Sequence, residues 1–218
     1  MIAYDEIAVR AAAEALDLFG AFHPGPGDGV PGDTGTLLLL GPREPGFWAT
    51  FKNTPEWLDG APDPLDRWSA RVVGGLAREF GGHALLPFGG PPHHPFYAWA
   101  LRSGRAFASP VTLLVHDGAG LMVSYRGAIA LPGRVDLPAP PAASPCDGCA
   151  AKPCLSACPA RALDVRGYDV PACHAFLDMA DGADCLSGGC IVRRACPISH
   201  AYGRLPEQSA YHMRLFHP

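Results

Sequence analysis

The stretches that decide this chain are CDGCAAKPCLSACP, Cys146 to Pro159, and CLSGGCIVRRACP, Cys185 to Pro197, with Cys173 between them. All eight cysteines of the 218 residues lie here, and none precedes position 146. They form two sets of four: Cys146, Cys149, Cys154 and Cys158, then Cys173, Cys185, Cys190 and Cys196. Each set ends in Cys-Pro, at Cys158-Pro159 and Cys196-Pro197. Such segregation marks one site-building module and predicts two iron–sulfur clusters.

A [4Fe–4S] cluster takes four thiolates around a compact cube. A tight C-x2-C loop supplies two neighbouring ligands, and a distant residue must supply another. In two-cluster ferredoxins the Cys-Pro cysteine of each motif serves the other cluster. On that rule one cluster takes Cys146, Cys149, Cys154 and Cys196, and the second takes Cys158, Cys173, Cys185 and Cys190. The spacings are looser than the tightest ferredoxin pattern, with four residues between Cys149 and Cys154. Two zinc sites of four thiolates each would also use all eight cysteines. Redox thiols or disulfides are the remaining reading. The twin Cys-Pro pairs and apolar neighbours such as Leu155, Ala157, Ile191 and Val192 favour iron–sulfur.

Working outward, 48% hydrophobic residues suffice for a core, while 24 prolines and 26 glycines give loops a large share. No apolar run reaches the length of a membrane span, and the acidic opening MIAYDEIAVRAAAEALDLFG argues against a secretory signal. The expected compartment is the cytoplasm, where clustered thiols are metal ligands more often than disulfides. The net charge is −4 and no basic stripe appears, so neither nucleic acid nor a membrane is an expected partner.

The expected fold class is α+β, with a front α/β domain over 1–131, a proline-rich linker over 132–145 and a ferredoxin-like region over 146–218. Helical spacing predicts helices over 3–19 and from Asp63-Pro64 to Phe80. Further helices are expected over His94–Ser103 and Glu207–Phe216. Thr36 to Leu40 reads as a buried strand and Ala84 to Pro87 as a short one. Val111–His116 and Leu121–Leu131 read as two strands flanking an Asp117-Gly118 turn.

Outside the cysteines the signals are weaker. His93 and His94 lie beside Phe96, Tyr97 and Trp99, either as cofactor ligands or in a plain surface loop. His116 reads as an ordinary turn neighbour. Arg126 sits in an apolar strand and wants either a cofactor's anionic or carbonyl group or an internal Asp. Phe47, Trp48, Phe51 and Trp57 could form a lid, but core packing is their default. The glycine-rich loop over 25–35 lacks the phosphate-loop pattern, and no dinucleotide fingerprint or nucleophile elbow is present.

Residues 146–197 resemble the twin-cluster module of the epoxyqueuosine reductase family, with Cys173 in DVPACHAFLDM at the position of that family's isolated cysteine. Upstream, TLLVHDGAGLMVSYRGAIAL, with Gly120, Tyr125, Arg126 and Gly127, is similar to a strand–turn–strand of that family and of the cobalamin-processing proteins. LLPFGGPPHHPFYAW over 85–99 resembles the latter more loosely. The resemblance implies a nitroreductase-like α/β sheet domain that binds a cobalamin, with the clusters feeding it electrons. It thereby implies a cobalamin- or flavin-linked iron–sulfur reductase, with cofactor contacts from His93, His94, Tyr125, Arg126 and Gly127. An electron-donor protein of ferredoxin or flavodoxin type is then the expected partner, and a corrinoid or small molecule the acceptor. Phe88-Gly89-Gly90-Pro91-Pro92 has no acid where epoxyqueuosine reductases carry a proton donor. A tRNA-binding repeat region does not follow the clusters in this sequence, so a tRNA substrate is not expected. The alternatives are a simple electron-transfer protein and a zinc-stabilised interaction module.

Overall fold

The computed structural model describes residues 3–218 and is α+β. Two compact units share the chain. One comprises the residues through Arg105 together with Ser124–Pro140, and the other comprises Ala106–Val123 with Pro141–Pro218. The segment 106–123, assigned by linear order to the front domain, therefore packs with the cysteines. Pro132–Pro140 of the proline-rich stretch packs with the sheet.

The sheet unit opens with α1 (Tyr4–Ala13), β1 (Leu16–Phe22) and β2 (Thr36–Pro42). Short helices α2 (Phe47–Phe51) and α3 (Pro55–Leu58) precede the long α4 (Pro64–Glu79), β3 (His83–Leu85) and α5 (Phe96–Arg102). In the cysteine unit, β4 (Ala106–Ala108) pairs antiparallel with β5 (Leu114–His116). The chain then supplies β6 (Gly127–Leu131) to the first sheet, whose order is β1-β2-β6-β3, antiparallel throughout. The leucine run of β2 is buried along its whole length, as an unbroken apolar strand in the middle of a sheet must be. Helix α4 packs on β6 and β3 through Leu65, Trp68, Val72, Val73 and Leu76, which recur on one face. Phe47 and Phe51 meet the Trp68 ring at 5.3 and 6.0 Å, so these aromatics are core.

Two expectations fail here. The helix expected over 3–19 ends at Ala13, because Ala15 takes φ +56° and the following residues pair with β2. A left-handed residue cannot continue a right-handed helix. Nor do 111–116 and 121–131 form a hairpin. The one bridge at this turn among the described residues is His116↔Gly120, inside the loop. His116 Nδ1 accepts from the Gly118 and Ala119 N–H groups at 3.1 and 3.2 Å, which closes a tight loop instead. Gly120, at φ +58°, lies so close to Ser199 that a Cβ would come within 2.5 Å of its nitrogen.

In the cysteine unit, β7 (Leu163–Asp164) and β8 (Gly167–Tyr168) form a small hairpin, followed by α6 (Val170–Leu177), α7 (Ala183–Gly188), α8 (Ile191–Ala195), α9 (Pro197–Tyr202) and α10 (Pro206–Phe216). The Asp169 carboxylate accepts from Ala172 N–H at 2.9 Å and caps α6, with Pro171 in the first turn. No helix among the described residues is long and apolar enough to cross a membrane.

Candidate metal centre

Local rules place each cysteine. Cys149 N–H donates to Cys146 O at 3.3 Å, folding the C-x2-C segment into a turn. Lys152, at φ +38°, turns the chain again into the short 3-10 helix Pro153–Leu155, which carries Cys154. Cys196 is extended, at φ −68° and ψ 124°, and sits between α8 and α9. The proline that follows imposes this, since it disfavours helical geometry in the residue before it. Cys173 projects from α6 and Cys185 from α7, while Cys190 stands at the N-terminus of α8.

These elements bring the thiols together as two quartets. Cys146, Cys149, Cys154 and Cys196 line one cavity of about 340 Å³, whose apolar walls include Pro110, Val115, Leu121 and Ile198. Burial pushes the Cys154 thiol up, and the charges of Cys146, Cys196 and Cys149 push it further. Cys146 moves the same way, through burial and then Cys196 and Cys149, against a lowering contact from Ser144. The second quartet is coupled similarly. Burial raises the Cys173 thiol, the Tyr168 hydroxyl lowers it, and Cys190 and Cys158 raise it again. Cys185 is raised by burial, lowered by the Ile191 N–H, and raised by Cys190. A cation bound among these thiols would reverse that mutual repulsion.

The surroundings of the quartets differ. Ala162 N–H donates to Cys158 Sγ at 3.3 Å, and Tyr168 Oη donates to Cys173 Sγ at 3.3 Å. Val111, Val115, Leu121, Leu163 and Val192 form a small apolar cluster with Cys154, against which Cys146, Cys158, Cys190 and Cys196 pack. Ser199 Oγ accepts from Leu121 N–H at 2.7 Å, and Arg193 Nη1 donates to Leu121 O at 3.1 Å. No three Cys, His, Asp or Glu side chains among the described residues stand close enough to share one metal ion.

The other sequence candidates lie in the sheet unit. His93 is exposed, and His94 stacks on Trp99 at 5.5 Å. Trp99 meets Phe96 at 4.9 Å and Phe96 meets Tyr125 at 6.2 Å, so His94 and Tyr125 flank one aromatic group. Arg126 Nη1 lies 3.9 Å from Asp66 Oδ1, one of the two kinds of partner expected for it. A Cβ on Gly127 would meet Val73 Cγ1 at 2.9 Å, so this glycine lets β6 approach α4. Tyr168, Ser199 and the 106–123 segment were not legible as parts of the centre. They carry no metal-ligand motif and lie near the cysteines only once the chain folds. Compared with family models, curated proteins and solved structures, the chain matches none at a significant level.

Proposed function

We propose that this is an iron–sulfur redox protein carrying two [4Fe–4S] clusters in a ferredoxin-like arrangement, and that it relays electrons to an acceptor. The observation that carries the reading is the exchange between motifs. Cys196 joins the Cys146–Cys149–Cys154 cavity, while Cys158 couples to Cys173. That crossing brings two sites close together, as a one-electron relay needs. The clusters would supply reversible one-electron chemistry. The chain's own residues hold them, exclude water with Val115, Leu121 and Val192, and donate hydrogen bonds to sulfur from Ala162 and Tyr168. Iron and acid-labile sulfide on anaerobically purified protein test the reading. About eight of each per chain are expected for two cubane clusters, and zinc without sulfide defeats it.

The acceptor we propose is a corrinoid on a nitroreductase-like sheet unit, in a cytoplasmic cobalamin-processing reductase. Arg126 and Gly127 have structural partners in Asp66 and Val73, which leaves His93, His94 and the adjoining aromatic group as the cofactor-facing candidates. Titration with a corrinoid, followed by its visible spectrum, decides. An unperturbed spectrum makes the protein a simple electron carrier.

A further inference from the structure

The two quartets are not equivalent: the second has two donors on ligand sulfurs, Ala162 N–H on Cys158 and the Tyr168 hydroxyl on Cys173, each at 3.3 Å. Tyr168 ends the β7–β8 hairpin, and the Asp169 cap starts α6 directly after it. The capped corner fixes the span between Tyr168 and Cys173, whose hydroxyl–sulfur distance is 3.3 Å. Phe216 stacks on the Tyr168 ring at 6.1 Å with planes 18° apart. Phe216 in turn lies 4.6 Å from His174. His174 Nδ1 is 2.7 Å from His217 Nδ1, and His217 Nε2 is 3.0 Å from Asp178 Oδ1. The phenol is therefore braced from behind while its hydroxyl meets sulfur. At the other quartet Ser144 also lowers the Cys146 thiol, but its Oγ accepts from the Cys146 N–H at 3.2 Å, and the Asp147 carboxylate acts against it.

A hydrogen bond to a ligand sulfur stabilises the more negative, reduced state and raises the potential. We propose that the Tyr168 hydroxyl, braced by Phe216, makes the Cys158–Cys173–Cys185–Cys190 site the higher-potential of the two, where an electron entering the protein comes to rest. This rests on the two-cluster reading. The transfer balances as one electron lost at the Cys146–Cys149–Cys154–Cys196 site and one gained at the other, with no bond made or broken. The electron originates from a ferredoxin- or flavodoxin-class donor.

The test is a dithionite-poised redox titration of the anaerobic full-length holoprotein, followed by electron paramagnetic resonance. Tyr168→Phe should keep its iron and sulfide and lower one midpoint. At a fixed potential that site should be about tenfold less reduced, a shift of about 59 mV for one electron. The displaced signal should be the one that survives in Cys149→Ser. Phe216→Ala, which keeps the hydroxyl but frees the ring, should move the same midpoint part of the way. Two unmoved midpoints with full iron content overturn the proposal and leave the clusters standing. A displaced signal that vanishes in Cys149→Ser places the effect at the wrong site and also overturns it. Iron lost from Tyr168→Phe makes the residue an assembly determinant rather than a tuner, which overturns it too. Wild-type protein without iron and sulfide defeats the two-cluster reading itself.

Discussion

The sheet unit and the cysteine unit are built on different physical terms. The first buries a continuous apolar interior, with all of β2 and β6, one face of α4 and the Phe47, Phe51 and Trp68 rings. The second has a small apolar cluster, short helices and two hairpins of two and three residues per strand, with thiols where a larger core would place leucines. A segment with so little core needs cross-links, and on the two-cluster reading four-ligand clusters would supply them. Hydrophobic burial holds the sheet unit, whereas ligation would hold the cysteine unit. The division has an optical counterpart. All four tryptophans, Trp48, Trp57, Trp68 and Trp99, lie in the sheet unit, so their fluorescence reports on it, while cluster absorbance would report on the other.

The sharpest challenge to this contrast is to cut the chain. A fragment spanning 141–218 retains every cysteine but loses β4, β5, Val111, Val115 and Leu121. We expect it to bind no stable iron, and a brown, fully loaded fragment would show that ligation alone suffices. Next is chelation of the full-length protein. Hydrogen exchange should show protection lost across 141–218 and kept in β2, β6 and α4. Uniform loss would mean the units are not independent. Phe51→Ala removes a fully buried ring from the sheet unit. It should cost about 3–5 kcal/mol by tryptophan-monitored urea unfolding, with iron content unchanged. Gly127→Ala pushes a methyl against Val73 and should cost about 1–3 kcal/mol on the same assay.

The smallest effect is electrostatic. Arg71 Nε donates to the buried Glu56 carboxylate at 2.5 Å, and this hydrogen bond holds the Glu56 acid below its ordinary range. A depressed folded value stabilises the protein above the unfolded value of about 4.3, and the contribution disappears as pH falls through the folded value. Because the Arg71 side chain is half-exposed, Arg71→Gln should cost about 1 kcal/mol at pH 7. The deficit should shrink as Glu56 protonates in acid. An equal deficit at both ends of that range would assign the loss to packing.

Legibility follows the same division. The leucine strand, the long α4 and the final helix are readable because each carries one uninterrupted period. Helical spacing overextends α1, because the run Ala11-Ala12-Ala13 favours helix and nothing in it reveals a left-handed residue. Only the pairing of Leu16–Phe22 with β2 shows the turn at Ala15. The Asp117-Gly118 turn is real, but its flanks pair elsewhere, β5 with β4 and β6 with β2 and β3. Local turn chemistry does not choose between distant strands. The gathering of Cys196 with Cys146, Cys149 and Cys154 in one cavity is foreshadowed by the Cys196-Pro197 pair, because proline constrains the residue before it. Tyr168 is not, since nothing in Arg166-Gly167-Tyr168 announces that its hydroxyl will meet a sulfur.

The corner at Cys196 also sets a schedule. The second quartet is complete once the chain has been made to Cys190, whereas the first, begun at Cys146, stays one ligand short until Cys196 has emerged. On the two-cluster reading, the later-numbered site could therefore close before the earlier one. The cavity of Cys146, Cys149 and Cys154 would then be completed last, when Cys196 joins it.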